Sequence, residues 1–352
     1  MGKQVRRAKY LYKNNTSEAV KVAFVETKQN AKGQIVRSEV TDRISAGLEN
    51  LLAFQGNKNI LKVYGSCTEK VQLPPNPKTG EVTELDRTLI ISDFCDNGDL
   101  SRFIQGESYK EFSVKQRVKL ALSFLNTFKF LHNSPTGTRI NCDMNALHRA
   151  LTQFLVTKDF EVVLNDLDDV PVVSKTSRCE WGVNGLIEKN NVVTDTHDEI
   201  AFKSNFLAPE QVMNDNLFFK MYPEEHTRFD TEKIDVWKLP DMLMFLLTKQ
   251  LNTLQASVEA TQVLITVEDT LKKCKSINYK ERPSVAEIVA KFEQVYETLE
   301  ANNFQKQVEH DLALNEDLRP KDGPVSYNEF SRSNLIKRIM GYEMELEKED
   351  QI

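Results

Sequence analysis

The 352-residue chain is long enough for two lobes that each bury their own core. Its net charge of −6 argues against nucleic acid as a partner, because proteins that bind the phosphate backbone usually carry a basic face. No apolar run approaches the roughly 18 residues of a membrane span, and the basic N-terminus is followed by polar residues, unlike a signal peptide.

The N-terminal part of the chain is predicted to be mostly sheet with one helix. Apolar residues at helical spacing predict that helix over 41–55, with Gly56 at its end. Alternating residues rich in valine and aromatic side chains predict strands. The predicted strands are 5–12, 18–26, 60–64 and 87–92.

From Gly98 onward the pattern is largely helical. A long amphipathic helix is predicted over 113–132, and a charged, solvated helix over 326–350. The stretch 172–205 is long, polar and irregular, which indicates a functional or disordered loop. We therefore predict a sheet-rich lobe, a larger helical lobe and a charged extension, at 1–94, 95–300 and 301–352.

Five cysteines are scattered without the CxxC pairs or the histidine spacing of a zinc site. We interpret them as separate buried or free thiols in preference to metal ligands, and one or two disulfides remain possible. These residues are Cys67, Cys95, Cys142, Cys179 and Cys274.

Several short motifs follow the order and spacing of protein kinases. Residues 89–94 and 98–100 resemble the strand, hinge and following helix, and 208–210 matches the Ala-Pro-Glu motif. Residues 235–237 resemble the start of the central buried helix, and 282–283 the Arg-Pro near the C-terminus. Each motif is weak alone, but their common order predicts an α+β, bilobal, protein kinase-like fold.

That resemblance implies roles for residues outside the catalytic loop. In the kinase fold Glu210 and Arg282 form a buried ion pair, because buried charges need a partner. Asp93 and Cys95 fall in the hinge, so they are candidate nucleotide-binding residues.

Phosphoryl transfer in kinases needs one aspartate to accept the hydroxyl proton, and a second aspartate with an amide residue to hold Mg²⁺. A hairpin with strands at 154–156 and 161–164 is predicted ahead of Asp166. The run 166–168 then stands in for Asp-Phe-Gly. Gln153 lies at the interval where kinases carry the metal-binding asparagine, and it offers the same carbonyl oxygen one methylene further out.

The catalytic base is harder to assign from spacing. His148 occupies the position of the usual catalytic aspartate, and the nearest suitable carboxylate is Asp143, preceded by Asn141 and Cys142. Either the loop carries an insertion and Asp143 is the base, or the base is missing. His148 is the alternative base if Asp143 proves dispensable.

Where the sequence departs from the usual kinase motifs, it resembles one family, the protein O-mannose kinases. The resemblance is strongest at 129–171 and 206–240. The resemblance implies an active enzyme that phosphorylates the 6-hydroxyl of mannose in a trisaccharide O-linked to alpha-dystroglycan, with ATP and Mg²⁺ or Mn²⁺. It makes Asp143 the base and Asp166 a metal ligand, with Gln153 as a second ligand and Asp168 acting through water. The two ends of the hairpin would then serve the same phosphate.

In the first lobe the resemblance is looser. Val25 replaces the phosphate-binding lysine, and the family's lysine comes from the preceding strand, where Lys9 or else Arg7 is the candidate. Glu49 would pair with it. Only Gly2 precedes the first strand, so the lobe looks truncated at its Gly-rich loop. The family works in the endoplasmic reticulum lumen, and we expect the N-terminal membrane anchor of the family to lie outside this sequence.

Three other interpretations are weighed against this one. A catalytically inactive pseudokinase that binds partners is favoured by the missing lysine and the thin Gly-rich loop. A protein Ser/Thr kinase is disfavoured by the long segment between Asp166 and Ala208 and by the lysine's absence. An unrelated scaffold would not explain the ordered motifs.

Overall fold

The structure is a computed structural model. For most of the first strands it defines the backbone alone, so the side chains of Arg7, Lys9 and Val25 lie outside the described part. The predicted loop at 172–205, apart from 172–174 and Cys179, and the predicted helix at 326–350 also lie outside it. The described residues are 4–11, 17–25, 47–72, 75, 77–80, 82, 84–174, 179, 206–212, 215–227, 229–251 and 253–300.

Helices and two small antiparallel sheets make up the described residues. The strands are β1 (Gln4–Leu11), β2 (Ser17–Val25), β3 (Val63–Gln72), β4 (Glu84–Asp93), β5 (Phe154–Val156) and β6 (Val162–Leu164). The α-helices are α1 (47–53), α2 (Leu100–Gln105), α3 (Glu107–Lys110), α4 (Val114–His132), α5 (Leu147–Thr152), α6 (Pro209–Val212), α7 (Asp215–Met221), α8 (Lys233–Thr248), α9 (Leu254–Cys274) and α10 (Val285–Glu300). The predicted α+β class is confirmed.

The chain divides into two compact units. The first contains Met1–Gly98 and Gln153–Val170, and the second contains Asp99–Thr152 and Pro171–Ile352. The β5–β6 hairpin thus packs with the first unit although it follows α5 in sequence. Leu164 fixes it there, because its N–H donates to the Asn59 carbonyl and its carbonyl accepts from the Leu61 N–H.

The first unit is built on a four-stranded antiparallel sheet of order β1-β2-β4-β3. The strands predicted at 5–12 and 18–26 are confirmed as neighbours, with Lys9 opposite Ala19 and Arg7 opposite Lys21. Helix α1 is described from 47 to 53, and Gly56 follows it with a φ of +88°, a conformation that favours glycine.

The bounds predicted for the other two strands were wrong. β3 begins at Val63 and runs through polar residues to Gln72, and β4 starts before residue 87. Pairing along the two strands satisfies their backbone groups, so polar residues extend them where hydrophobic alternation stops. Ile60 instead forms an isolated bridge with Leu164 of the hairpin.

The second unit is helical, and α4 is its long central element. The predicted helix over 113–132 is confirmed, because Ser113 caps it and forms a capping box with Gln116. Its apolar face packs against α8 and α10. Within the described residues, no helix has both the length and the apolarity needed to cross a membrane.

Candidate active site

In the second unit, the loop that precedes Asp143 is anchored on the first turn of α8. Asp235 is completely buried there, and its Oδ2 accepts the Asn141 backbone N–H at 3.1 Å. The same oxygen lies 3.2 Å from His132 Nε2 at the end of α4. A buried carboxylate on one helix therefore sets the position of the loop relative to two helices of its own unit.

Asp143 itself is positioned by short-range contacts. The Asn141 side-chain oxygen accepts the Asp143 N–H at 3.2 Å, a local bond that asparagine often makes two residues along the chain. Arg149 Nη2 donates to Asp143 Oδ1 at 2.9 Å. The Asp143 side chain is 25% exposed and that of Arg149 is 60% exposed, so the carboxylate remains accessible.

A disulfide joins the neighbouring residue Cys142 to Cys179. The interpretation as separate thiols thus fails for this pair, which forms a disulfide of the kind left open above, whereas Cys95 and Cys274 are buried and take no part in a disulfide. Sequence spacing could not reveal the pairing, because it depends on how the loop before Asp143 meets a residue far along the chain. The bond ties the candidate base's loop to the segment after β6.

His148, the alternative base, lies on α5 with an exposed side chain. Its ring packs edge-on against Phe245 of α8, with centroids 5.3 Å apart. Sequence reasoning missed Arg149, one residue further along. An arginine that follows an acidic residue in the sequence is too common to have marked Arg149 as a functional residue.

In the first unit, the predicted hairpin is confirmed, and it brings two predicted metal ligands close together. Phe154 pairs with Leu164, and the Asn165 N–H donates to the Gln153 carbonyl at 2.9 Å. Gln153 therefore lies beside the residue that precedes Asp166. Gln153 is 4% exposed and Asp166 is half-buried.

One carboxylate and one amide oxygen fit a magnesium or manganese ion bound to nucleotide phosphates. Mg²⁺ keeps several waters and takes one or two protein carboxylates besides phosphate oxygens. Among the described residues no cluster of three or more His, Cys, Asp or Glu could hold a metal ion. The assignment of Asp166 and Gln153 as ligands of an ion shared with a nucleotide stays a prediction.

The turn after Asp166 is held against α1 of the same unit. Asn50 Nδ2 donates to the Leu167 carbonyl at 3.0 Å, and the Leu167 side chain is fully buried. Asp168 lies against Gly47 so closely that a Cβ at position 47 would overlap its Oδ1. A side chain at position 47 would therefore require the Asp168 carboxylate to move, while the water-mediated role of Asp168 stays a prediction.

The predicted nucleotide residues lie in or beside the sheet of the first unit. The Asp93 N–H donates to the Lys62 carbonyl at 3.0 Å, and Tyr64 Oη donates to Asp93 Oδ1 at 2.5 Å. The carbonyl of buried Cys95 accepts the Gly98 N–H at 3.1 Å. These contacts define the local geometry without testing nucleotide binding.

The proposed lysine partner of helix α1 also stays a prediction. Glu49 lies on α1 with an exposed side chain. Lys9 lies on β1, and its side chain is outside the described part of the structure. Their pairing is therefore untested.

The predicted ion pair between Glu210 and Arg282 is confirmed in the second unit. Arg282 Nη1 and Nη2 donate to the two Glu210 oxygens at 2.5 and 2.7 Å, and the side chains are 3% exposed or less. The guanidinium also lies 5.0 Å from the centre of the Trp237 ring. A planar, bidentate pair of this kind is the geometry that makes a buried charge tolerable.

Comparison with known proteins agrees with this geometry. The chain is 29% identical over 286 residues to the human protein named protein O-mannose kinase, covering 80% of this chain and 71% of that protein. It is 28% identical over 283 residues to the Gallus gallus protein of the same name, covering 79% and 69% of the two chains. The chain is a homologue of the protein O-mannose kinases. The resemblance seen in its motifs is thereby confirmed.

A more distant relative supports the wider fold assignment. The Drosophila melanogaster protein named putative mitogen-activated protein kinase kinase kinase 7-like is 19% identical over 331 residues, covering 84% of this chain and 72% of its own. No protein-family model matches the chain. Together with the mixed sheet and helix content, these relatives assign a protein kinase-like α+β fold.

Proposed function

We propose that the chain is an ATP-dependent kinase that phosphorylates a hydroxyl group of an O-linked mannose. The observation that carries the kinase part is the β5–β6 hairpin, which sets Gln153 beside the residue preceding Asp166. The names of the homologues support mannose as the acceptor.

The finer acceptor assignment rests on the motif resemblance. We infer that the acceptor hydroxyl is the 6-hydroxyl of mannose in a trisaccharide on an alpha-dystroglycan type of glycoprotein. We also infer that the protein works in the lumen of the endoplasmic reticulum. The Cys142–Cys179 disulfide supports that compartment, because such bonds persist in oxidising environments and are rare in the cytosol.

In the proposed reaction Asp143 accepts the proton of the mannose hydroxyl while the hydroxyl oxygen attacks the terminal phosphorus of ATP. The bond from that phosphorus to the bridging oxygen breaks, and ADP leaves with the charge. Asp166 and Gln153 would hold Mg²⁺ or Mn²⁺, which neutralises phosphate charge when bound. Arg149 keeps the Asp143 carboxylate oriented until the substrates bind.

The nucleotide contacts follow from the same proposal. The hinge residues Asp93 and Cys95 would contact the nucleotide. Lys9 would reach its phosphates and be held by Glu49. The rival function is a catalytically inactive binding protein, and the observation that favours it is Val25 at the position of the usual lysine.

The deciding experiment incubates the chain with labelled ATP, Mn²⁺ or Mg²⁺, and the phosphate-free O-mannosyl trisaccharide. We expect label transfer to this trisaccharide and none to a matched trisaccharide whose mannose lacks the 6-hydroxyl. In parallel, a thermal shift with ATP should require the metal. A metal-dependent shift without any transfer would favour the inactive binding protein, and the absence of both would contradict a kinase.

A further inference from the structure

A lysine is completely buried in the second unit without a hydrogen-bonding partner. Lys238 lies on α8 at 0% exposure, and no described group within hydrogen-bonding distance accepts from its Nζ. Removing an ammonium group from water costs several kcal/mol unless neighbouring charges compensate. A residue that carries this cost in the middle of a core helix calls for a physical reason.

The charges around Lys238 supply that reason. Burial lowers the pKa of its ammonium, while Asp235, Asp230, Glu210 and Asp143 raise it, in decreasing order. Glu210 is already paired with Arg282, and Asp143 with Arg149. The two acids with the largest effect, Asp235 and Asp230, are 0% and 2% exposed, and Asp235 Oδ2 also lies 3.2 Å from His132 Nε2. Asp235 precedes Lys238 by three residues on α8, so the two side chains lie on the same face of the helix.

These two acids hold the two sides of the disulfide. Asp235 accepts the N–H of Asn141, the residue before Cys142, at 3.1 Å. Asp230 accepts the N–H of Cys179 at 2.7 Å. Each carboxylate thus anchors the backbone at one end of the cross-link.

We propose that Lys238 is a positioning residue whose ammonium is the shared counter-ion of Asp235 and Asp230. With that charge in place both acids keep accepting the backbone amides that fix the cross-linked loop. Asp143 follows Cys142 directly, so the position of the candidate base depends on Lys238. Only this last step rests on the proposed function.

Two carboxylates buried in the same region lose the stabilisation that water gives them, and a buried ammonium group compensates for part of that loss. Desolvation and mutual repulsion each favour the protonated, neutral form of a carboxyl group. A neutral acid accepts an amide hydrogen bond less strongly than a carboxylate does. Loss of the Lys238 charge should therefore loosen the Asn141 and Cys179 amides together, although they are far apart in sequence.

The test compares Lys238→Met, which keeps the side-chain length, with Lys275→Met in the full chain. Lys275 is a matched control, because it is also buried and pairs with Asp241 of the same helix at 2.6 Å. We expect hydrogen exchange at the Asn141 and Cys179 amides to accelerate at least tenfold in Lys238→Met and to stay unchanged in Lys275→Met. Unchanged exchange at both amides in Lys238→Met would overturn the proposal.

A second variant keeps the proposal testable if Lys238→Met does not fold. In Lys238→Met/Asp235→Asn the amide oxygen can still accept the Asn141 N–H, while one buried negative charge is gone. We expect the double variant to be more stable to urea than Lys238→Met alone. A double variant that is no more stable would contradict a shared counter-ion.

Kinetics then connects the network to the proposed reaction. For Lys238→Met we expect kcat to fall at least tenfold while KM for ATP stays within twofold, because the change acts on the base. A fall in kcat no larger than that of Lys275→Met would overturn the positioning role. Inactivity of the wild-type chain would instead refute the proposed function, and the exchange measurements would still decide the role of Lys238.

Discussion

Arg149 donates to the carboxylate of Asp143 at 2.9 Å, so the candidate base is paired with a cation before any substrate arrives. A neighbouring guanidinium favours the ionised carboxylate, which is the form that accepts a proton. The pair is partly exposed, and such pairs are worth less than about 1 kcal/mol. Breaking the pair therefore costs little.

Asp143→Asn should abolish transfer while leaving ATP binding intact. The amide preserves the shape of the side chain but cannot accept the hydroxyl proton, and loss of a general base costs about 10²- to 10⁴-fold in rate. Labelled phosphate transfer measures the rate, and the metal-dependent thermal shift measures binding. Substantial remaining activity would move the role of base to another residue, with His148 the first to replace.

Arg149→Gln should lower kcat about tenfold and leave the ATP-dependent thermal shift unchanged, because the carboxylate loses its orienting cation. Arg149→Lys should recover part of the rate, since the charge returns without the planar fork. Arg102→Gln is the control, because Arg102 is an exposed arginine paired with Asp99. Equal effects at both arginines would argue against a specific role for Arg149.

Asp166→Ala should weaken metal-dependent ATP binding, because it removes the carboxylate of the proposed donor set. Gln153→Ala should weaken it less, since a neutral amide oxygen is a weaker ligand for a hard cation. Titration of Mn²⁺ against the thermal shift with ATP measures both. Asp168→Asn serves as the comparison, and a larger effect there than at Asp166 would exchange their assigned roles.

The Glu210–Arg282 pair should be strongly coupled. Either Glu210→Gln or Arg282→Met should cost about 3–5 kcal/mol in the free energy of unfolding, because each leaves a buried charge without its partner. The double variant should cost much less than the sum of the two. Glu107→Gln, which breaks the exposed pair with Lys110, should change stability by under about 1 kcal/mol in the same urea titration.

Cys274 should make the protein less stable at high pH. Burial raises the pKa of its thiol to about 12, whereas an unfolded cysteine loses its proton near about pH 8.5. Between these values the folded state binds more protons, so the free energy of unfolding falls as pH rises. Urea titrations at about pH 8 and about pH 10 should show a smaller decline in Cys274→Ala, and equal declines would contradict this origin.

The elements that sequence reasoning predicted well are those encoded locally. Helix α4 carries its capping box beside its apolar stripe, and the β5–β6 hairpin is short and apolar on both strands. The Glu210–Arg282 pair was predictable only because the motifs around it fix the fold. The helix and the hairpin required no knowledge of distant contacts, and the ion pair required only the topology that kinases share.

What could not be predicted depends on packing between distant segments. The polar half of β3 is a strand because β4 pairs with it, and the Cys142–Cys179 bond depends on where two loops meet. A lysine after Asp235 and Trp237 looks like a surface residue in the sequence. The burial of Lys238 becomes evident only in the three-dimensional structure, which shows the acids around it.

The close approach of Asp168 to Gly47 in the first unit can be tested by genetic suppression. A methyl group at position 47 would collide with the Asp168 carboxylate, so Gly47→Ala should lower the stability of the first unit and impair the protein under restrictive growth conditions. Shortening the opposing side chain, as in Asp168→Gly, should suppress it. A selection for revertants of the alanine variant should therefore recover changes at residue 168, and such allele-specific suppression would be independent evidence that the two residues are in contact.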